Sequence, residues 1–550
     1  MPAKAIAGRK ARATTTKTAT KAPAKKAATP ASTTGRGRKR KATDDDNEDD
    51  APIDPPRQTK KGRTTAALNT DSQPAKRGPG RPPKVKTGRP GAGRPRKTAA
   101  PAAPAILNTP PTQVLTVFTF GTGDCGELGL GPKQKSALRP RPNKFLDPTS
   151  PDGLKVVQLA VGGMHVVALT ADNRIVTWGV NDKGALGRDT TWEGKLRDMD
   201  ADDSSDDDDD DLSPIESTPS ALPDDAFPEG TVFVQVAAGD SCSLALTETG
   251  QVYGWGTFLS SDGKPGFYHN PKTKDFITDK PRPFLLPDLK DIVQITCGSN
   301  HALALDKTGT IWAWGIGEQN QLGRKLLPGR ERTGFAPTRV GIARNSKVKY
   351  IASGPFHSFA VDGRDNVWGW GLSSDGEAGH YNPRDRGSLP YPMKIGELAG
   401  RGVVLLDGGA HHSVAVASDG ECFVWGRIEG GQLGVQFTPE QLADEDLVEM
   451  TERGKPGICM KPVPVTHIGA AAYAVAASGH TIFINKEGKA YSAGFGFMGQ
   501  LGHGNEEDVE VAKLIESKSV KDRVLAWAGA GGQFSMVAGP ADEQSAEAAA

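Results

Sequence analysis

One phrase recurs seven times between about residue 115 and residue 540, and it constrains the chain more than any other feature. An apolar stretch runs into a small-Gly turn that often carries a histidine. A second apolar stretch follows, then a Gly/Asp/Asn hairpin, then a stretch that usually ends in aromatic-Gly. The clearest copies are 156–187 (VVQLAVGGMHVVALTADNRIVTWGVNDKGALG) and 292–323 (IVQITCGSNHALALDKTGTIWAWGIGEQNQLG). The closing glycines are Gly121, Gly179, Gly256, Gly315, Gly371, Gly426 and Gly494, spaced by 58, 77, 59, 56, 55 and 68 residues. Repetition at a fixed period means a fold that grows by adding units, so the length of 550 residues does not imply several separate cores.

Runs such as HVVALT, HALALD and HSVAVA put apolar side chains at alternate positions, the period of a β-strand. Thr249 with Gly250, Thr308 with Gly309, Asp419 with Gly420 and Glu487 with Gly488 supply the positive-φ residue of a tight hairpin. A unit of this size holds four short strands, which is one propeller blade. The first copy begins late, with only 117–131, and the last stops early, at 524–539. Each lacks the half that the other has, and joining them removes the open edges that an all-β ring must protect. The expected fold is all-β: a seven-bladed β-propeller closed by pairing of N- and C-terminal strands.

Most of the conspicuous residues belong to that architecture. His165, His301 and His357 fill one slot, three residues after Gly162, Gly298 and Gly354, and Cys242 and Phe534 fill it in other copies. A slot that accepts cysteine and phenylalanine is a packing position. Trp178, Trp255, Trp314, Trp370 and Trp425 read as blade core. No H-E-x-x-H, Cys/His cluster or phosphate-cradling G-x-x-x-x-G-K-[ST] loop occurs, so no metal, cofactor or catalytic enzyme is expected. The five cysteines are scattered, as in an intracellular protein with reduced thiols. No apolar run approaches the roughly 18 residues of a membrane span, so no membrane association is expected.

The net charge of +1 hides an asymmetry. Residues 1–104 carry 26 Lys and Arg against 8 Asp and Glu, a net of +18, which leaves −17 for the remainder. A polycation fused to an acidic body points to nucleic acid at one end. Residues 1–111, rich in Ala, Thr, Pro, Lys, Arg and Gly, cannot bury enough apolar surface to fold and are expected as a disordered basic tail. Three Gly-Arg-Pro tripeptides, centred on Arg81, Arg89 and Arg94, resemble the AT-hook, an extended strip that lies in the A·T minor groove. Pro79 or Ala92 stands where the upstream arginine of a full hook belongs, so weak, salt-sensitive DNA binding is expected. Arg36, Arg38, Lys39, Arg40 and Lys41 read as a nuclear-import signal, hence an importin partner. The propeller is expected over 112–540, with an acidic insertion at 198–225, an outer-loop helix insertion at 436–464 and a disordered end at 541–550. Ten of the fourteen residues 198–211 are Asp. Thr438, Pro439 and Gln441 read as a helix start, predicting a helix over 438–450.

At 162–194 (GGMHVVALTADNRIVTWGVNDKGALGRDTTWEG) the likeness exceeds the repeat consensus, most of all from Asn181 to Thr190. Here the chain resembles the regulator of chromosome condensation family, chromatin-bound guanine-nucleotide exchange factors for the small GTPase Ran. The resemblance covers about 115–540; the tail shares only its charge character. It implies a nuclear, chromatin-associated, monomeric protein that exchanges GDP for GTP on Ran, serving nucleocytoplasmic transport and mitosis without covalent chemistry. Three departures from the repeat then mark the interaction surface. After Trp255 and Gly256 the usual Q-L-G close is replaced by TFLSSDGKPGF, and the family projects a wedge-like hairpin there toward the GTPase nucleotide site; Ser260, Ser261, Asp262, Gly263, Lys264 and Pro265 form its tip. Asp124, Asp240, Asn300 and His411 sit in turns that repetition brings to one face, where the family contacts Ran. Asn300 departs from the family's aspartate, and His411 is left free for a partner because His412 fills the structural slot. The loop 324–349 carries Arg330 and Arg332 and corresponds to the family's contact with the histone acidic patch. The rival reading is a chromatin-tethered scaffold whose propeller never touches Ran. Its mark would be a normal repeat close in the third blade.

Overall fold

The computed structural model describes residues 105–193, 212–343, 346–382, 384 and 387–541. Each copy of the repeat is one antiparallel sheet of four strands, or five in one case, and there are seven such sheets among the described residues. Blade 2 shows the plan: Val156–Val161 innermost, then His165–Thr170, Ile175–Gly179, and Ser220–Ala221 at the rim. Blade 1 is composite. Leu115–Thr122 and Ser136–Pro142 form its outer half, Trp527–Ala530 and Phe534–Pro540 its inner half. Seven consecutive pairs, from Leu115 with Pro540 to Gly121 with Phe534, join the two ends of the chain. The expected seven-bladed ring and its closure are both present.

The closing glycines are a conformational necessity. All seven have φ between +86° and +115°, a region open to glycine. A Cβ on Gly121 would lie 2.5 Å from the Gln533 carbonyl oxygen, and one on Gly315 2.7 Å from that of Asn300. The Glu/Gln of the E/Q-L-G close also has a task. The side chains of Glu127, Gln321, Glu377 and Gln500 fold back to accept the backbone N–H two residues upstream, fixing the turn. Its carbonyl then faces the next blade and accepts the indole N–H of a buried tryptophan: Trp178 donates to Glu127, Trp370 to Gln321 and Trp425 to Glu377, at 2.8–3.1 Å.

The slot histidines complete this joint. His165, His301, His357, His412 and His480 are fully buried, and each Nε2 lies 2.7–2.9 Å from a hydroxyl of the following blade. The partners are Ser243, Ser358, Ser413, Thr481 and Ser535, and each hydroxyl donates its own proton to a turn carbonyl. The ring nitrogen must therefore be the donor, which sets the tautomer as Nε2–H. Where the slot holds Cys242 or Phe534, the following blade offers Ala302 or Val166 at the hydroxyl position.

The innermost strands present unpaired backbone to a central channel of about 430 Å³. Side chains of the preceding blade cover these edges. Gln235 and Gln294 each accept the N–H and donate to the C=O of one residue, Ile295 and Ile351 respectively. Beneath the ring, Leu107 and Asn108 donate their N–H groups to the Glu248 carbonyl, while the Asn108 amide reaches Thr247 and Ile292. The chain thus enters the propeller across blades 3 and 4, at the hairpin side.

The insertion within blade 6, between its third strand and its outer strand, differs from the reading of the sequence. The capping box of Thr438 and Gln441 and the Pro439 start are present, but the helix spans only Pro439–Ala443. Val448–Met450 is instead a strand, paired with the blade's own outer strand Pro456–Pro464. Pairing with an available sheet edge outweighs helix propensity there, which is a weak preference over so few residues.

Candidate functional site

The turns between first and second strands hydrogen-bond one another around the channel mouth. The Gly532 N–H donates to Gly163, Asp240 to Ser299, and Ser299 to Pro355. Within every blade, the residue after the closing glycine donates to the same turn. The pairs are Thr122 to Gln533, Val180 to Met164, Thr257 to Ser241, Ile316 to Asn300, Leu372 to Phe356, Arg427 to His411, and Phe495 to Gly479. Both sets of turns therefore lie on one face, which brings together Asp124, Asp240, Asn300, His411 and the 257–267 segment.

The face is acidic. Asp124 and Asp240 are exposed on it. Asp182, Glu318 and Glu429 stand, like Asp124, three residues beyond a closing glycine and are exposed too. Sequence reasoning missed these three; reading that column across the copies would have found them. Though the residue is exposed as a whole, the Asp240 carboxyl lies over Gly163 of the preceding blade, where partial desolvation raises its pKa against a hydrogen bond from Ser299.

Two of the expected residues have neighbours that change their reading. His411 is not a free side chain: its Nδ1 is 2.8 Å from Asp375 Oδ2, and the same oxygen is 3.4 Å from Arg427 Nε. Asp375, 11 % exposed, lies against both side chains at the rim of the face. Asn300 turns inward, and its Oδ1 accepts the Leu259 N–H at 2.7 Å. An aspartate there would make the same bond, so the amide keeps the acceptor and drops the charge.

Residues 257–267 form a hairpin, with Phe258–Leu259 paired to Pro265–Gly266 and a tip at 260–264. The tip is tied internally. Ser260 N–H donates to the Lys264 carbonyl at 3.1 Å, and Lys264 Nζ is 2.6 Å from Asp262 Oδ2. Lys264 and the Ser260 hydroxyl hold the Asp262 carboxyl down at about 2. Ser261, Asp262, Gly263 and Lys264 are exposed, while Phe258 and Phe267 are buried and stacked at 5.9 Å. A second ribbon, Tyr268–His269 with Phe276–Ile277, stands beside the first and was not anticipated. Because the hairpin replaces the normal close, blade 3 offers the next blade no turn carbonyl. Trp314 Nε1 is accordingly buried without a hydrogen-bond partner.

Arg330 and Arg332 are exposed on the loop that follows blade 4's third strand. Arg330 caps the short 3-10 turn Glu331–Phe335, and the Arg332 guanidinium lies 4.9 Å from the centre of the Phe276 ring. Arg324, half-buried at the loop's start, bonds the carbonyls of Ala313, Leu322 and Gly334, and desolvation lowers its pKa to about 10. The structure thus joins the basic loop to the wedge rather than separating them. Arg36, Arg38, Lys39, Arg40, Lys41, Arg81, Arg89, Arg94 and the acidic run 198–211 lie outside the described residues. Among the described residues no group of His, Cys, Asp and Glu could hold a metal ion, and Cys242, Cys297, Cys422 and Cys459 are free thiols. No helix is long and apolar enough to cross a membrane.

Comparison with known proteins gives this face a context. The guanine nucleotide exchange factor SRM1 of Saccharomyces cerevisiae is 38% identical over 440 residues, which is 78% of this chain and 88% of that protein. The crystal structure of Prp20p from Saccharomyces cerevisiae, described with its binding properties to Gsp1p and histones, matches with a TM-score of 0.69 and 34% identity. The match covers 79% of this chain and 94% of Prp20p. Yeast RCC1 (Prp20) bound to Kap60 matches with a TM-score of 0.70 and 33% identity over 82% and 97% of the two chains. The model of the RCC1-like domain matches residues 116–537, so the chain belongs to the RCC1-like domain family.

Proposed function

We infer that this chain is a guanine-nucleotide exchange factor for a Ran-class GTPase and that it works on chromatin. The observation that carries the reading is the wedge: an ordered, charge-tipped hairpin replaces the repeat's normal close and stands on the face that also carries Asp124, Asp182, Asp240, Glu318 and Glu429. A scaffold would have no need to give up the carbonyl that Trp314 lacks. The relatives add to this, since SRM1 is named an exchange factor and Prp20p is described with Gsp1p and histones.

Exchange requires differential binding only. A GTPase holds nucleotide at roughly picomolar affinity, on the order of −16 kcal/mol. A protein that loosens it must bind the empty form more tightly than the loaded form by the same factor. In this reading the 260–264 tip enters the phosphate-binding region, while Asp124, Asp182, Asp240, Glu318 and Glu429 meet a basic surface of the GTPase. Asn300 serves through the wedge base, and His411 through its pairing with Asp375. Arg330, Arg332 and the basic tail, with Arg81, Arg89 and Arg94, would hold the protein on nucleosomes as a monomer. The tail's 36–41 cluster would engage an importin, in keeping with the Kap60 complex of yeast RCC1.

The test is linkage itself. Titrations of nucleotide-free and GDP-loaded Ran against the full chain are expected to differ by at least about a thousand-fold in affinity, the size of effect that makes release fast. Equal affinity for the two forms excludes exchange and leaves a scaffold.

A further inference from the structure

The wedge belongs to blade 3 by sequence, yet blade 4 holds it. Its outgoing arm is tied by two side chains: Asn300 Oδ1 accepts the Leu259 N–H at 2.7 Å, and Glu318 Oε2 accepts the Ser261 N–H at 3.1 Å. Its returning arm, Pro265–Gly266, is met instead by an aromatic ring. A Cβ on Gly266 would lie 2.3, 2.6 and 2.7 Å from three ring carbons of Phe335, so the ring rests directly on that α-carbon. Phe335 is 6 % exposed and packs edge-on against Phe276 of the second ribbon, with centroids 5.4 Å apart. Both share one apolar cluster with Phe258, Phe267, Tyr268 and Trp314.

We propose that Phe335 is a positioning residue for nucleotide exchange: its ring on Gly266 fixes the angle at which the wedge leaves the ring. The proposal rests on the exchange reading above and gives it a mechanical part. The tip is rigid in itself, through the bonds among Ser260, Asp262, Gly263 and Lys264, so its aim is set at its base. The base is a two-pair hairpin, too short to hold its own orientation. With Phe335 removed, the outgoing arm keeps its two hydrogen bonds while the Gly266 α-carbon of the returning arm loses the ring packed on it. The ordered loop Glu331–Phe335 thereby acquires a purpose beyond its arginines. Gly266 is also explained, because any side chain there would displace the ring.

Three variants of the full chain test this: Phe335→Ala, Phe335→Leu and Gly266→Ala. Release of a fluorescent nucleotide from Ran would be measured across protein concentration, together with hydrogen–deuterium exchange over 257–267. For Phe335→Ala the maximal release rate is expected to fall on the order of ten- to hundred-fold, the effect of about an ångström of misplacement. The half-saturating concentration should change by less than about three-fold, since the acidic face is intact. Amides of 258–266 should exchange at least about ten-fold faster while the blade strands keep their protection. Phe335→Leu should retain most of the activity, and Gly266→Ala should reproduce the alanine defect without removing core volume. Full maximal release and unchanged 257–267 protection in both Phe335→Ala and Gly266→Ala overturn the proposal. So does loss of protection throughout the ring with no separate effect in Gly266→Ala, which marks Phe335 as ordinary core. The hydrogen-exchange comparison needs no GTPase. If the unaltered chain releases nothing, the exchange reading fails while the positioning of the wedge is still decided.

Discussion

Five buried imidazoles donate to five hydroxyls one blade further on, and this joint predicts measurable energetics. Ser358→Ala strands the His301 Nε2–H in a dry site and is expected to cost about 1–3 kcal/mol in urea unfolding. Adding His301→Cys should recover part of that loss, because Cys242 already faces Ala302 in the native ring. Strictly additive costs would refute the joint. Burial depresses the five imidazoles, His165 and His480 to about 4 and His301, His357 and His412 to about 3. Above the unfolded value of 6.5 they contribute nothing to pH dependence. Below it the unfolded chain takes up protons that the fold refuses, and stability falls through the window from about 6.5 to 3–4. Asp407 opposes this. Burial raises it to about 7, so its contribution is present below about 4 and is lost as pH rises through 7. Five groups outweigh one, and the unfolding free energy extrapolated from urea melts should drop between pH 7 and pH 5 by an amount on the order of several kcal/mol. The slot was legible from Gly-x-x-His, but its partner was not. It sits in the next copy, and only comparison of two columns pairs Cys242 with Ala302 and Phe534 with Val166.

At the scale of elements, what breaks the repeat proved most informative. The missing close after Gly256 announced a hairpin at 257–267, and one stands there. Its neighbour at Tyr268–Ile277 went unread, because two-residue strands carry no periodicity. The helix at 438–450 was over-read for a related reason: the cap is visible in Thr438, Pro439 and Gln441, while the edge that captures Val448–Met450 is a tertiary feature. The aim of Asn300 and the pairing of His411 with Asp375 were also beyond sequence, since each depends on a segment from another blade or turn. Replacing 260–264 with two glycines should abolish exchange and leave the melting temperature within about 2 °C, since exposed loop changes rarely matter to stability. Asp240→Ala should lower exchange on the order of ten-fold, chiefly through association, with a weaker salt dependence than the unaltered protein shows. An unaltered salt dependence would remove Asp240 from the contact.

At the scale of the molecule, the two ends of the chain make one blade, and that was countable from sequence alone because 117–131 and 524–539 are complementary halves. The entry of the chain beneath blades 3 and 4 was not, since Leu107 and Asn108 lie in a segment without pattern. A chain stopped after Val520 loses Trp527–Ala530 and Phe534–Pro540, exposing Leu115–Thr122 and the face of blade 7. It should lose cooperative unfolding altogether, and a melt like that of the intact chain would contradict a closed ring. Closure also underlies the proposed function, because carboxylates from residue 124 to residue 429 and the wedge share a face only in a closed ring. The most direct measurement is therefore the rate at which Ran, loaded with fluorescent GDP, releases it into excess GTP at saturating concentrations of the full chain. The account predicts release faster than the intrinsic rate by at least about a thousand-fold, lost when the 260–264 tip is replaced. Release at the intrinsic rate, with a folded propeller, would contradict it.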